Sequence, residues 1–222
     1  LVSVKNRANA ARNPVAQYKE PVTVEQVLAS RMIARPITLL MCSALSDGCS
    51  AAVVTTPEIA RRFSESKPVF VKAAVLGGGE MPEDAPIVSF PSSARAVQEA
   101  YRIAGVGPED IDLAEVHDCF SIAEIVHYED LGFCSRGEGG ILLESGATKI
   151  GGRIPVNPSG GLIGKGHPLG ATGLAQIIEV ANQLRGRCDG RQVEGAKVGL
   201  AHCLGGFSHG DLLSVTVTIL QS

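Results

Sequence analysis

The sequence lacks the features of nucleic-acid-binding and membrane-spanning proteins. Its 20 Lys and Arg are outnumbered by 23 Asp and Glu, which gives a formal net charge of −3. No basic stripe with interleaved aromatic residues is present, so the charge pattern does not favour binding to nucleic acid. The apolar stretch 37–42 is far shorter than the roughly 20 residues of a membrane-spanning helix, and no signal-peptide pattern opens the chain. We therefore expect a cytosolic or organelle-matrix protein with no nucleic-acid or membrane partner.

Paired cysteines are missing as well. The six cysteines are scattered and none forms a Cys-x-x-Cys motif, which argues against a zinc knuckle or a redox centre. In a reducing compartment most of them should be buried thiols. The alternative is a metal site assembled from His117, Cys119, His167, Cys203 and His209, but no pair of these has the spacing of a zinc finger or ribbon. The sequence therefore predicts no bound metal.

Glycine, in contrast, is abundant. The chain has 26 glycines in 222 residues, about 12 % against an average near 7 %. They cluster in the ranges 77–79, 137–140, 151–152, 160–173 and 205–210, as expected where loops bring the backbone close to a ligand or another strand. The hydrophobic share of 45 % is enough for a globular core. Because the chain begins with Leu1 rather than Met, we expect a fragment or a processed chain.

The order of predicted elements indicates a layered α/β protein. A loop is followed by a helix at 23–33, in which Thr23 and Gln26 form a capping-box pattern. Further helices are expected at 57–63, 92–105, 119–132 and 168–184, and strands at 37–41, 50–56, 69–77, 111–116, 196–201 and 212–220. The segment 134–156 reads as irregular. Three polar clusters, 117–120, 166–168 and 202–206, then lie just beyond strands or at a helix start, where open α/β sheets bind ligands.

His167 is the first candidate for chemistry. Pro168 suits the first position of a helix, so His167 should lie near the helix N-cap, where the helix dipole disfavours the imidazolium form. A neutral imidazole can accept a proton from a thiol or donate a hydrogen bond to an oxyanion, the two tasks of an acyl-transfer site. A histidine that merely caps the helix is the alternative.

The other two polar clusters could also take part in acyl-transfer chemistry. Cys119, in the tetrapeptide His-Asp-Cys-Phe (117–120), would have its thiolate favoured by the helix that follows. Gly205 and Gly206, after His202 and Cys203, could expose backbone N–H groups to an oxyanion. Taken alone, each cluster could equally be a buried turn with an inert thiol.

Taken together, the clusters resemble the C-terminal half of thiolases. The family signature combines Gly-His-Pro-x-Gly-[Ala/Ser]-[Ser/Thr]-Gly, here 166–173, with Cys-x-Gly, here 203–205, and a strand-end tetrapeptide. The tetrapeptide His-Asp-Cys-Phe, in place of the usual Asn-Glu-Ala-Phe, is similar to the sterol-carrier-protein type of thiolase and to related bacterial and archaeal enzymes. The stretches KNRANAARNPVAQY, LASRMIARPITLLMC and NPSGGLIGKGHPLGATGLAQ resemble the same branch.

This resemblance implies an architecture. Thiolases are layered αβαβα proteins made of two similar halves, with a mixed five-stranded sheet in the C-terminal half, and they act as dimers or tetramers on coenzyme A thioesters. Residues 1–60 would be the end of the N-terminal half and 61–222 the C-terminal domain. No cofactor is expected beyond the coenzyme A thioester, which is the substrate.

The resemblance also implies roles for catalytic residues. His167 matches the histidine that activates a nucleophilic cysteine and helps to form an oxyanion hole. His117 matches an asparagine that acts through a bound water at that hole. Cys203 matches the acid/base that moves a proton on the acetyl-CoA methyl group, a task that Cys119 is thought to perform in the sterol-carrier branch. The N–H of Gly205 would line a second oxyanion hole.

Binding of coenzyme A is assigned in the same way to Ser43, Gly166 and Phe120. The nucleophilic cysteine of thiolases lies in the N-terminal half, upstream of this chain. Cys42 and Cys49 align with the last strand of that half, and we expect them to be core thiols.

The sequence therefore predicts a thiolase-like acyltransferase that cleaves 3-ketoacyl-CoA or condenses acetyl-CoA, with this chain inactive alone. A thiolase-like aldolase of steroid side-chain degradation is one alternative. A non-catalytic subunit that scaffolds an OB-fold acyl-CoA-binding partner is another. The ending Ile-Leu-Gln-Ser carries no peroxisomal signal, which favours a bacterial cytosol.

Overall fold

The computed structural model describes residues 1–63, 67–79, 88–208 and 211–222. The helices in these ranges are α1 (Val2–Ala10), α2 (Val24–Ala29), α3 (Pro57–Ala60), α4 (Pro91–Ala104), α5 (Ser121–Asp130), α6 (Gly139–Glu144), α7 (Gly161–Lys165) and α8 (Leu169–Leu184). The strands are β1 (Met32–Ala34), β2 (Ile37–Thr38), β3 (Phe70–Gly77), β4 (Leu113–Glu115), β5 (Val198–Ser208) and β6 (Asp211–Gln221). Short 3₁₀ turns lie at Leu39–Met41 and Pro108–Asp110. No helix of the described ranges is both long and apolar enough to cross a membrane.

The main sheet is mixed and has the order β3-β6-β5-β4. β6 is antiparallel to both β3 and β5, whereas β4 runs parallel to β5. The described part of this sheet thus has four strands where five were expected. A fifth position exists as a single bridge at the free edge of β4, where the Ala114 N–H donates to Pro155 (2.9 Å) and the Asn157 N–H donates to the Ala114 carbonyl (2.8 Å).

Helices cover both faces of the sheet, which confirms the predicted layered α/β arrangement. Neighbouring strand residues alternate between the two cores: Leu200 belongs to the larger cluster, with Val97 and Ala100 of α4, and Ala201 to the smaller one, with Val180 and Leu184 of α8. The helix α4 begins at Pro91 and ends at Ala104. Gly105 follows it with a φ of 70°, the left-handed conformation that glycine favours after a helix end. The long strand pairs and the helices α4 and α8 together fix the position of β4 and β5, which carry the candidate site described below.

Several predicted bounds were wrong for identifiable reasons. The capping box of Thr23 and Gln26 is present, but α2 ends at Ala29 and the chain turns into the β1–β2 hairpin. Within the described residues, 50–56 join no strand, so the predicted strand is absent there. The opening stretch is not a loop but α1, which buries Lys5, Asn6 and other polar side chains. Such a helix carries no apolar stripe for the sequence pattern to detect.

Candidate active site

Three segments far apart in the sequence bring their reactive side chains together. Because β4 and β5 pair in parallel, with Glu115 opposite Ala201, the turn after β4 lies beside the second half of β5. There the Nδ1 atom of His117 is 3.5 Å from the Sγ atom of Cys203. The ring of His117 also meets the ring of His167 edge-on, with centroids 5.0 Å apart and an interplanar angle of 86°. His117, His167 and Cys203 therefore form one cluster.

Cys203 reaches this cluster from within a strand rather than from beyond its end. The strand β5 continues to Ser208, so the predicted end at residue 201 was too early. Strand alternation separates neighbouring side chains. His202 is fully buried beside His127, while Cys203 is only partly buried and contacts His117. A Cβ added to Gly173 of α8 would lie 3.5 Å from the Cys203 Sγ, which shows that the first turns of α8 run close to this thiol.

The loop that carries His167 is fixed at its backbone and at its ring. The N–H of His167 donates to the Ser46 hydroxyl (2.8 Å), and its Nδ1 lies 2.8 Å from the Thr172 hydroxyl. Gly166 has a φ of 108°, and a Cβ there would come within 2.9 Å of Ser46 and of Gln17. The helix α8 begins after Pro168, one residue later than predicted. Glycine is therefore required at 166 for the close turn that presents His167.

Asp118 joins the His117 turn to the segment that leads to His167. Its buried carboxylate accepts the N–H groups of Leu162 (2.6 Å) and Ile163 (3.3 Å) at the start of α7. The amide of Asn6 in α1 donates to the same carboxylate at 2.7 Å. A Cβ added to Gly161, whose φ is 59°, would come within 2.4 Å of this carboxylate. Asp118 thus holds α1, α7 and the His117 turn in one arrangement.

A second buried carboxylate, Glu124, lies at the centre of the network under this turn. It forms an ion pair with Lys5 at 2.9 Å, and both side chains are almost fully inaccessible. It accepts hydrogen bonds from Asn6 and Asn157, both at 2.6 Å, and from the hydroxyl of Tyr128. This network fastens α1 beneath the site.

The segment 42–46, which we call the bridging segment, contacts both site loops. The Ser43 N–H donates to the Cys119 carbonyl (2.8 Å), and Cys42 forms an antiparallel bridge with Phe120. At its other end Leu45 forms a parallel bridge with His167. Ser43 and Phe120 therefore border the site, and Phe120 is exposed; their contact with coenzyme A stays a prediction, as does that of Gly166.

Burial shifts the titration of the cluster towards its neutral forms. It lowers the pKa of His117 to about 3, helped by the neighbouring His167. It also lowers the pKa of His167, with a contribution from Lys165. Burial raises the pKa of Cys203 and of Cys119 to about 11 each, so the prediction that the following helix favours the Cys119 thiolate was wrong. At neutral pH the site therefore holds two uncharged imidazoles and two protonated thiols, which can exchange protons with a substrate.

A second pair of histidines, His127 and His202, lies next to the cluster. The Nε2 atom of His127 lies 3.2 Å from the His117 carbonyl, and the His202 Nε2 lies 3.0 Å from the Ser93 hydroxyl. The two rings are 4.5 Å apart. Burial lowers the pKa of His127 to about 4 and that of His202 well below its usual value. The contact of His127 with the His117 carbonyl thus fixes the backbone of the His117 turn.

Other predicted residues have mixed outcomes. Gly205 lies in β5 opposite Ser214, so its role at an oxyanion hole stays a prediction. Cys49 is exposed and Cys42 only partly buried, so the expectation of core thiols was wrong for this segment. Across the described ranges, no three His, Cys, Asp or Glu side chains are grouped to hold a metal ion. His209, a weighed metal ligand, lies outside the described residues.

Sequence reasoning missed the residues that position the cluster. Ser46 and Thr172 hold His167, and Asp118 with Asn6 holds the His117 turn. Thr172 and Asp118 stand inside the quoted motifs, so their positions carried a signal. Nothing in the local pattern singles out Ser46 or Asn6, because their partners are more than 100 residues away in the chain: 121 for Ser46 and 112 for Asn6.

Comparison with known proteins gives consistent relatives. The family model described as thiolase C-terminal domain-like matches residues 79–221, more than half of the chain. An acetyl-CoA acetyltransferase of Methanothermobacter thermautotrophicus is 50 % identical over 208 residues, which cover 93 % of this chain and 54 % of the relative. Sterol carrier protein 2 of Rattus norvegicus is 42 % identical over 211 residues, covering 90 % of this chain and 38 % of that protein.

A solved structure agrees with these matches. The Ltp2-ChsH2(DUF35) aldolase superposes with a TM-score of 0.83 at 28 % sequence identity, covering 98 % of this chain and 56 % of that chain. The chain thus spans about half the length, or less, of the relatives it matches.

Proposed function

The chain belongs to the family of thiolase C-terminal domain-like proteins, and from that premise we propose that it supplies the acid/base and oxyanion-binding half of a thiolase-like acyltransferase. The substrates would be coenzyme A thioesters: a 3-ketoacyl-CoA in thiolysis, or two acetyl-CoA molecules in condensation. The acetyl-CoA acetyltransferase among its relatives supports this class of substrate. The nucleophilic cysteine would come from outside the 222 residues.

The observation that carries the proposal is the meeting of His117, His167 and Cys203. Their segments are separated by tens of residues, yet the Cys203 thiol is 3.5 Å from His117 and the two imidazoles are 5.0 Å apart. A purely structural cluster has no need of two neutral imidazoles and a protonated thiol at a partly open edge. Titratable side chains with shifted pKa values that lie together in this way are typical of catalytic sites.

The protonation states fit the steps of thiolysis. A cysteine thiolate attacks C3 of the 3-ketoacyl-CoA, the C2–C3 bond breaks, and the electron pair remains on C2 of the departing acetyl-CoA. That carbanion needs a proton, which a thiol with a pKa of about 11 can donate; Cys203 and Cys119 both qualify. Free coenzyme A then attacks the acyl-enzyme and releases an acyl-CoA shortened by two carbons. Neutral His167 would take the proton from the nucleophilic cysteine and return it when that cysteine leaves the acyl group. The thiolate left on the proton donor would take the proton of the attacking coenzyme A and become a thiol again.

The decisive assay uses the complete protein that contains this chain. With a 3-ketoacyl-CoA and free coenzyme A, we expect acetyl-CoA and the shortened acyl-CoA in equal amounts, measured by chromatography. The substitution H167A should lower kcat by about 10²-fold or more, the usual contribution of a general base. The substitutions C203A and C119A distinguish the two proton donors, and C188A is the matched control, because Cys188 is buried beside Glu179 and away from the cluster.

The 222-residue chain alone should give no thiolysis. Turnover by the isolated chain would contradict the assignment of the nucleophile to another segment. Normal kcat in H167A would contradict the proposal itself.

A thiolase-like aldolase is the second candidate, favoured by the likeness to the Ltp2-ChsH2(DUF35) aldolase. Retro-aldol cleavage breaks the C2–C3 bond of a 3-hydroxyacyl-CoA after loss of the hydroxyl proton, and C2 takes up a proton as in thiolysis. It consumes no free coenzyme A. Product formation from a 3-hydroxyacyl-CoA without added coenzyme A would therefore favour the aldolase. A dimer or tetramer is expected in either case, and light scattering of the complete protein tests it.

A further inference from the structure

The hydroxyl of Thr172 makes two short contacts that fix where its single proton lies. Thr172 is fully buried in the first turns of α8. Its Oγ1 lies 2.8 Å from the Nδ1 of His167 and 3.0 Å from the carbonyl oxygen of Pro168. A hydroxyl has one proton to donate and lone pairs to accept with. It can therefore be the donor in only one of these two contacts.

The Pro168 carbonyl must be the acceptor, because a carbonyl oxygen has no proton. If the hydroxyl donated to His167 instead, the Thr172 and Pro168 oxygens would face each other at 3.0 Å with no proton between them. In helices, moreover, the threonine hydroxyl commonly donates a hydrogen bond to the carbonyl four residues earlier. The Thr172 oxygen then accepts from His167, so the proton in that second contact sits on Nδ1.

We propose that Thr172 is a positioning residue that holds neutral His167 as its Nδ1–H tautomer, so that Nε2 is the nitrogen with the free lone pair. As an account of catalysis this rests on the proposed function, because it makes Nε2 the atom that takes the thiol proton. The backbone contact of His167 with Ser46 fixes the base of the side chain, and Thr172 fixes its ring. The two contacts together leave the ring one orientation and one tautomer.

The valine substitution T172V isolates this effect. Valine has nearly the same shape as threonine, and the Thr172 N–H still donates to Pro168 (2.9 Å). What is lost is the acceptor for Nδ1–H, so the tautomer ratio should shift towards Nε2–H by about fivefold, the effect of one net hydrogen bond. The substitution T172S restores a hydroxyl and should restore the ratio.

The direct measurement is the long-range ¹H–¹⁵N correlation spectrum of the histidine side chains, recorded at neutral pH on the complete protein. The His167 signals are identified by their loss in H167Q. We expect a protonated, pyrrole-like Nδ1 and an unprotonated, pyridine-like Nε2, with both nitrogens moving towards intermediate shifts in T172V and returning in T172S. The matched control is T38V, because the buried Thr38 hydroxyl also donates to a carbonyl, that of Val27 (2.7 Å).

The kinetic counterpart is a lower kcat with little change in KM for T172V, by about fivefold or more, rescued in T172S and unaffected in T38V. A wild-type His167 protonated on Nε2, or a T172V spectrum identical to the wild type, overturns the inference whatever the activity. If the Nδ1–H tautomer is found and no thiolysis is observed, the inference about Thr172 stands and the proposed function fails.

Discussion

Removing the cation from the buried ion pair between Lys5 and Glu124 should cost several kilocalories per mole of stability, and the substitution K5M tests this. The pair is 2.9 Å long, and only 4 % and 0 % of the two side chains are exposed. Methionine keeps the chain length of lysine but removes the charge, so Glu124 is left buried without its cation. Breaking a buried pair from one side costs about 3–5 kcal/mol, a large part of the total of about 5–15 kcal/mol that stabilises a typical domain.

The expected result is a fall in the thermal midpoint of roughly 6 to 20 °C, since about 1 kcal/mol moves the midpoint by about 2–4 °C for a chain of this size. Circular dichroism against temperature and urea measures it. R102M is the matched control, because Arg102 and Glu99 form an ion pair of 2.6 Å whose side chains are 70 % and 46 % exposed. Water screens that exposed pair, so R102M should leave the midpoint almost unchanged.

Equal shifts in the two variants would refute the reasoning, because they would show that burial does not determine the strength of these pairs. A large loss in K5M should also loosen α1, since the same carboxylate accepts the Asn6 amide. Faster hydrogen exchange in α1 than in α4 would report that change.

Three further outcomes are expected. Folding lowers the pKa of His127 to about 4, so between pH 6.5 and 4 the unfolded state binds a proton that the folded state does not. The difference in unfolding free energy between the wild type and H127Q, measured by urea titration, should therefore shrink by about 1.4 kcal/mol for each pH unit as the pH falls. A difference that stays constant with pH would contradict this prediction. The substitution G166A should destabilise the protein in thermal unfolding and displace His167, because Gly166 has a φ of 108° and an added Cβ would lie 2.9 Å from the Ser46 hydroxyl. The control G170A should be neutral or slightly stabilising, because a Cβ added to Gly170 would have no other atom within 4 Å. Iodoacetamide should alkylate Cys203 with a pH midpoint near 11. A midpoint near 8.5 in peptide mass spectrometry, the value of an ordinary thiol, would show that burial does not raise the pKa of this thiol.

The sequence was informative where local chemistry determines the structure. The helix at Pro91–Ala104 with Gly105 after it, the strand Phe70–Gly77 and the capping box of Thr23 follow from periodicity, turn chemistry and side-chain hydrogen bonding over a few residues. The family resemblance likewise predicted that the His117, His167 and Cys203 segments belong to one site, and the structure brings these three side chains together.

The rest depends on partners distant in the chain. Helix α1 is polar because its side chains bond to Asp118, Glu124 and Val156 instead of packing into an apolar core. The length of β5 is set by its pairing with β6, so Gly205 and Gly206 remain in the strand although glycine alone predicts a loop. Long-range pairing of this kind leaves no local pattern in the sequence.

The contact between His117 and Cys203 joins residues 86 positions apart, and this separation has a kinetic consequence. Contacts between residues so distant in the chain form only after the intervening loop entropy has been overcome, and helices such as α4 and α8 can form earlier from local interactions. In a partly folded chain Cys203 would react as an ordinary thiol, and it would become protected when β4, β5 and the His117 turn come into register. Pulsed alkylation of Cys203 during refolding would thus time the completion of the native topology, with no engineered label.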